Sequence, residues 1–218
     1  MQRLPTKLLA LLLAVVAATA SCTMPAPTTQ PASHTSTQTM TQKSAQMAHN
    51  GMKGNGALTP EQTQLLASLP SQGAAPELNN QVWLNSKPLK LADLHGKVVM
   101  VEFWTFACIN CQHVTPALNA LYTKYADKGF VIIGVHSPEF AYEKELKNVK
   151  AAIAEAGIQY PVTIDNDYNT WNAYGNHYWP ARYLVDKAGN IRLLQIGEGG
   201  YAQTDATVAA LLAEATPS

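Results

Sequence analysis

The sequence lacks an excess of either charge: its 218 residues hold fifteen Lys and Arg against fifteen Asp and Glu. No polybasic footprint for nucleic acid or an anionic membrane surface is therefore present. Long hydrophobic runs are missing too. Leu8 to Ala18 gives eleven apolar residues, where about twenty are needed for a helix to cross a bilayer. Cysteine is scarce, with only Cys22, Cys108 and Cys111. Residues 23–57 contain no aromatic and no acidic side chain. Such a stretch cannot bury enough apolar surface to fold alone. No segment repeats, which excludes a solenoid.

What is present begins with an export signal. Arg3 and Lys7 form a basic start and Leu8 to Ala18 an apolar h-region. Two processing sites compete. Ala18-Thr19-Ala20 fits a small-x-small cleavage site. Thr19-Ala20-Ser21-Cys22 resembles a bacterial lipobox with Thr in place of the usual Leu, and would put a lipid on Cys22. The expected organisation is a signal peptide over 1–21, a disordered tether over 22–57, a short helical segment over 58–74 and a domain over 75–218. Four of the fifteen basic residues (Arg3, Lys7, Lys43 and Lys53) precede residue 58, leaving eleven against fifteen acidic ones in the remainder. That mild acidity names no partner. Met40, Met47, His49 and Met52 are types that bind copper, but their spacing matches no ligand pattern and reads as filler.

The chemistry sits at Cys108-Ile109-Asn110-Cys111. An apolar, β-branched run, Val98 to Phe103, is interrupted only by Glu102. Trp104 follows, and the Cys-x-x-Cys then opens a helical pattern. A cysteine at a helix N-terminus faces unpaired N–H groups and the positive end of the helix dipole, which favour a thiolate. The thiolate is the attacking species in disulfide exchange. A purely structural disulfide would close a very short loop and constrain the unfolded chain little. Zinc needs about four ligands, and only His113 lies nearby. Haem attachment needs His after the second cysteine, and position 112 is Gln. No metal or other cofactor is expected.

The remaining pattern alternates strands and helices, which predicts an α/β sheet. Thr59-Pro60-Glu61-Gln62 starts a helix with a capping box that ends at Gly73 to Pro76. Val82 to Leu84 and Lys87 to Leu91 form a small hairpin. Val98 to Phe103 is a buried strand, and Cys108 to Lys128 a helix bent near Pro116. Phe130 to Val135 is a strand, Glu143 to Ala156 a helix and Pro161 to Ile164 a strand. Tyr183 to Val185 pairs with Ile191 to Ile196 across a turn. Thr204 caps a last helix ending at Ala215.

This order resembles the thioredoxin fold, and Phe103-Trp104 before the Cys-x-x-Cys resembles its signature. Ala75-Pro76-Glu77-Leu78 and Leu91 through Lys97 are similar to the N-terminal hairpin extension of the extracytoplasmic TlpA/ResA branch, which also carries a helix-strand insertion. Closer still is the thioredoxin-like domain of DipZ-type interchange proteins. The matching stretches are Trp104 to Cys111, Gly134 to Phe140, Asp165 to Trp171, Tyr178 to Ala181 and Gly197 to Gly199. The resemblance implies that Cys108 is the nucleophile and Cys111 the resolving thiol. It implies that Glu102 is a buried proton-relay carboxylate and Pro180 the cis-proline facing the dithiol, with an extended substrate strand pairing beside residue 179. It marks Glu139 as an acidic residue near the thiols. His136 and His113 are candidates to stabilise a thiolate or are satisfied histidines, and Trp104, Trp171 and Trp179 are groove or core residues. DipZ-type proteins also carry a transmembrane electron-transfer domain, and no run here is long enough for one. The electrons are therefore expected from a separate membrane protein of CcdA/DsbD type, or flow the other way.

The expected function is a periplasmic, membrane-tethered oxidoreductase that reduces disulfides of exported proteins, with ordinary secretion as the other localisation. Two other classes remain open. Thr105-Phe106-Ala107-Cys108 has the Thr-x-x-Cys of peroxiredoxins, with Val101 where their motif has Pro. A copper-binding assembly module would use Cys108, Cys111 and a histidine.

Overall fold

The apolar run interrupted by Glu102 becomes a central strand of the sheet. The structure is a computed structural model describing residues 57–216. The expected export segment, Cys22 and the expected tether as far as residue 56 lie outside the described residues. Six strands form one sheet: β1 (Trp83–Leu84), β2 (Val98–Trp104), β3 (Phe130–His136), β4 (Val162–Ile164), β5 (Ala181–Val185) and β6 (Ile191–Ile196). Their spatial order is β1-β4-β3-β2-β5-β6. β2, β3 and β4 run parallel, while β1, β5 and β6 join antiparallel. Every residue of β2 is buried, as a central strand covered on both faces requires.

Alternation along β2 divides the core in two. Val98, Met100 and Trp104 face one cluster, shared with Val114, Leu118, Val149, Ile153, Val208 and Leu211. Those partners come from three helices: α2 (Ile109–Tyr125), α3 (Leu146–Glu155) and α5 (Tyr201–Ala213). Leu66, from α1 (Pro60–Ala67), joins them. Val99, Val101 and Phe103 face the opposite cluster with Leu78, Leu91, Leu94, Trp171 and Tyr174. Trp171 belongs to α4 (Asn169–Ala173). There Phe103 meets Trp171, Tyr174 and Tyr183 edge-on, with centroids 5.3–5.7 Å apart. Such contacts add about 0.5–1.5 kcal/mol each beyond burial. Glu102 therefore shares its face with Met100, Trp104 and α2.

Several local expectations are corrected. The N-terminal hairpin does not form. Trp83 and Leu84 pair instead with Thr163 and Val162. Asn85 then takes a left-handed φ of 60°, and Pro88 has no N–H to give a ladder. The chain enters a 3₁₀ turn at Leu91–Leu94, whose first N–H groups, Leu91 and Ala92, donate to the Glu77 carboxylate at 2.6 and 3.1 Å. The first helix keeps its capping box but stops at Ala67 rather than Gly73. α2 ends at Tyr125 and tightens into a 3₁₀ turn over Ala126–Lys128, stopped by left-handed Gly129. The expected helix from Glu143 splits into a 3₁₀ turn at Ala141–Lys144 and α3. Thr204 is not the cap of α5; it lies buried one turn inside, and Gly200 caps the helix with φ 66°. A side chain at Gly200 would also run into Gln195. The helix-strand insertion is present as α3 and β4.

Candidate functional site

The loop Thr105–Ala107 carries the chain from β2 to α2 and places Cys108 as the N-cap. The Cys108 sulfur accepts the Cys111 N–H at 3.3 Å, satisfying one of the orphan donors of a helix start. Both cysteines are free thiols, Cys108 half-buried and Cys111 buried. The Cys111 side chain and the N–H groups of Cys111 and Asn110 hydrogen-bond the Cys108 thiolate. They pull its pKa from 9.0 to about 7 against partial burial and the charge of Glu139. Cys111 moves the opposite way: its hydrogen bond to Cys108, burial, and the charges of Cys108 and Glu102 push it well above the usual thiol range. At neutral pH the exposed sulfur is thus roughly half ionised while the inner one keeps its proton.

Glu102 lies under this pair at 2% exposure. In the sheet it sits opposite Gly134 on β3 and Arg182 on β5. A Cβ at Gly134 would come within 2.9 Å of Trp104 Nε1 and 3.3 Å of Tyr160 and Val162, so this strand position has no room for a side chain. Glu102 Oε2 has no hydrogen-bond partner among the described residues. Burial raises its pKa from 4.5 to about 8; Arg182 opposes and Cys108 adds to the rise.

The Trp179–Pro180 peptide is cis. Trp179 is half-buried, donates its indole N–H to Ser137 O at 3.0 Å and lies 4.4 Å from the Trp171 ring. Trp171 is core. Trp104 is also core, at 4% exposure. One side of Trp104 nevertheless borders a half-open cavity of about 490 Å³ lined with Thr105, Phe106, Gln112, Pro116 and Ala152.

Glu139 makes no hydrogen bond to either thiol among the described residues, though its charge acts on Cys108. It is exposed, and its backbone N–H donates to Glu143 at 2.7 Å. The buried acid of this region is Glu143, fully enclosed, which the sequence reading missed. Its carboxylate accepts the Thr105 hydroxyl and the N–H groups of Ala107 at 3.0 Å, Glu139 at 2.7 Å and Phe140 at 2.8 Å. Burial alone would raise its pKa, but these donors outweigh it and hold the group ionised. No capping-box signature marks it, because Phe140 at the N-cap has no side-chain acceptor and only the Glu143 carboxylate to Phe140 N–H half of the pattern forms. Glu143→Ala removes the acceptor shared by four donors, the Thr105 hydroxyl and the part-buried N–H groups of Ala107, Glu139 and Phe140, and should cost about 1–3 kcal/mol by chemical denaturation. Unchanged stability would show that the clamp between the loops at 105–107 and 139–140 holds nothing.

His136 is buried between Trp104, edge-on at 5.2 Å, and Phe106, stacked at 5.6 Å. Its Nε2 lies 3.3 Å from the Thr105 hydroxyl. Burial lowers its pKa from 6.5 to about 4, against the charge of Glu143. It is therefore neutral at pH 7 and offers no positive charge. His113 is exposed and pairs with Glu198 at 3.1 Å. Among the described residues neither histidine hydrogen-bonds Cys108, and no group of three His, Cys, Asp or Glu could hold a metal. No described helix is long and apolar enough to cross a membrane.

With this geometry in place, comparison with known proteins is informative. The family model described as AhpC/TSA matches residues 72–194. DipZ of Mycobacterium tuberculosis is 46% identical over 155 residues, covering 69% of this chain but 22% of DipZ. The chain thus spans about a fifth of the length of that relative. The thiol-disulfide oxidoreductase ResA of Bacillus thuringiensis is 34% identical over 134 residues, covering 62% of this chain and 72% of ResA. Among solved structures, the thioredoxin-like superfamily protein SPOA0173 aligns with a TM-score of 0.62 and 32% identity, over 66% of this chain and 99% of that one. The fold is therefore thioredoxin-like, and the motif resemblance to the ResA and DipZ branch agrees with these likenesses.

Proposed function

The chain belongs to the AhpC/TSA family, and from that membership and the site's geometry we propose that it is an extracytoplasmic thiol–disulfide oxidoreductase that reduces disulfides of exported proteins. The observation that carries this reading is the asymmetry of the dithiol: a half-exposed Cys108 drawn toward the thiolate, above a buried Cys111 that keeps its proton. The Cys108 thiolate attacks a substrate disulfide, forming a mixed disulfide and expelling one substrate thiolate. Glu102, in its ionised form, takes the Cys111 proton. Cys111 sulfur then attacks Cys108 Sγ, closes the ring and releases the second substrate thiolate. Two electrons leave the protein, and a dithiol donor of CcdA/DsbD type returns them. Arg3 to Cys22 supports export and a lipid anchor on Cys22.

The surroundings favour polypeptide substrates. Ile109, between the cysteines, Tyr142, packed against Phe106 of the loop before Cys108, and Phe140, stacked on Tyr142, are 58%, 50% and 48% exposed. Exposed apolar groups gathered beside a reactive group mark a binding surface. Trp104, Trp179 and Pro180 frame the proposed groove. The peroxidase reading is less well supported, because the Thr105 hydroxyl is engaged by Glu143 and His136. A Thr-x-x-Cys peroxidase needs that hydroxyl at its cysteine.

Redox equilibration of the Cys108–Cys111 couple tests the direction. A potential near the reducing thioredoxin end, about −270 mV, is expected. A value near about −120 mV would make the protein an oxidant and overturn the reductant assignment.

A further inference from the structure

The largest of the fully buried side chains is a charged one: Arg182 is 1% exposed. Arginine does not lose its proton in proteins, so a buried guanidinium needs compensating partners. Arg182 has some. One nitrogen, Nη2, donates to Gly197 O at 3.0 Å and Gly199 O at 2.9 Å, and the Tyr201 ring lies 5.6 Å from its central carbon. Its Nε and Nη1 have no partner among the described residues. Directly across the antiparallel β2–β5 pair is Glu102, whose Oε2 is likewise without a partner. Opposed residues on such a pair share a face, with Cβ atoms about 4.5–5.5 Å apart. Unpaired guanidinium donors and an unpaired carboxylate oxygen thus belong to directly opposed strand positions beneath the dithiol, with no ion pair within 4.0 Å closing between them.

We propose that Arg182 is a positioning residue of the exchange reaction, held by the Gly197–Gly199 loop, whose fixed charge lets Glu102 give up its proton and so receive the one from Cys111. This rests on the oxidoreductase reading above and adds a residue to its proton path. A carboxyl group buried without a cation would keep its proton and could not act as a base. A carboxylate facing an invariant cation ionises at the moment it is needed. The loop that holds the cation is joined to the dithiol helix as well, because His113, two residues after Cys111, pairs with Glu198. Gly197 and Gly199 adopt φ 74° and 84°, which aims both carbonyls at one nitrogen and explains glycine at each position. The groups facing Glu102 are Cys108 and Cys111 from α2, Arg182 from β5 and Tyr160 from the α3–β4 connection. The His113–Glu198 pair reaches it only through the loop.

The test is a nuclear magnetic resonance titration of the protein oxidised to the Cys108–Cys111 disulfide, in which neither thiol titrates. It follows the Glu102 carboxyl carbon and the Arg182 guanidinium nitrogens. Both should move with one common midpoint. In Glu102→Gln the Arg182 signals should lose that step. In Arg182→Met the Glu102 midpoint should rise by about one pH unit or more, and in Arg182→Lys it should stay close to the wild-type value. Guanidinium signals flat through the Glu102 midpoint, or an Arg182→Met midpoint equal to wild type, would overturn the proposal. Should Arg182→Met not fold, the wild-type and Glu102→Gln titrations decide alone. None of these readouts depends on exchange activity, so a failed oxidoreductase assay and a failed Arg182 coupling remain distinguishable.

Discussion

Cys108→Ser removes disulfide exchange, by about a thousandfold or more, whereas Cys111→Ser keeps the first step and stalls at the second. The difference follows from where α2 begins. Cys108 is the N-cap, its sulfur half-exposed and bonded to the Cys111 N–H at 3.3 Å. Its pKa of about 7 makes it the sulfur that attacks near neutral pH. Cys111, at 1% exposure, cannot meet a partner protein until that partner is already held on Cys108. Cys111→Ser should therefore accumulate a covalent complex with exported disulfide proteins, visible on non-reducing gels and lost with reductant. Alkylation of Cys108 should have its midpoint near pH 7 and slow about tenfold per pH unit well below it. Preferential labelling of Cys111, or no trapped complex, would overturn the assignment of nucleophile and resolver.

The sequence made the reactive pair legible because its signal is local. A buried strand ending in Phe103-Trp104, then a cysteine at a helix start, places two sulfurs within one turn whatever the rest of the fold does. The run Val98 to Phe103, interrupted only by Glu102, likewise announced a strand covered on both faces, and the structure buries all of it together with Trp104. What stayed hidden depends on contacts far apart in sequence. Glu143 looked like the opening residue of a helix. It became a clamp only because the 105–107 loop lies against it across a sequence separation of 36 to 38 residues. Arg182 lies just before the expected strand Tyr183 to Val185 and carried no signal; its burial comes from register opposite Glu102 and from a loop 15 to 17 residues later. The hairpin failed for a related reason. Trp83 and Leu84 found a longer-range partner in β4, and Pro88 could not offer the competing ladder. Thr204 has the right chemistry for a cap, but three left-handed glycines at 197, 199 and 200 start the helix earlier.

Glu102→Gln should erase a pH dependence of stability and slow the resolving step. Glu102 titrates at about 8 in the folded protein and at 4.5 in its ordinary environment. Between those values the folded state holds a proton the unfolded state has lost, so stability falls as pH rises. The contribution is fully present below pH 4.5 and gone above about 8. At about 1.4 kcal/mol per pH unit the interval amounts to roughly 4–5 kcal/mol. His136 works in the opposite direction, with a folded value of about 4 against 6.5. Its contribution is present above 6.5 and lost as pH falls toward 4, so the two slopes oppose each other between 4.5 and 6.5. From 6.5 to 8 Glu102 acts with no counterweight from His136. In the reduced protein Cys108, lowered to about 7, adds stability as pH rises from there toward 9, so the oxidised protein gives the cleaner measurement. The wild-type minus Glu102→Gln difference in unfolding free energy should decline steadily from pH 4.5 to 8, and parallel curves would show that Glu102 is solvated. The same burial explains timing in catalysis. The Cys108 thiolate is one of the charges raising the Glu102 pKa. Once Cys108 enters a mixed disulfide that charge is gone, Glu102 ionises more readily, and it can take the Cys111 proton when Cys111 must attack. Glu102→Gln should therefore leave Cys108 alkylation near its wild-type rate but lengthen the life of the mixed disulfide by about 10²-fold or more. A mixed disulfide that resolves at the wild-type rate in this variant would remove Glu102 from the proton path.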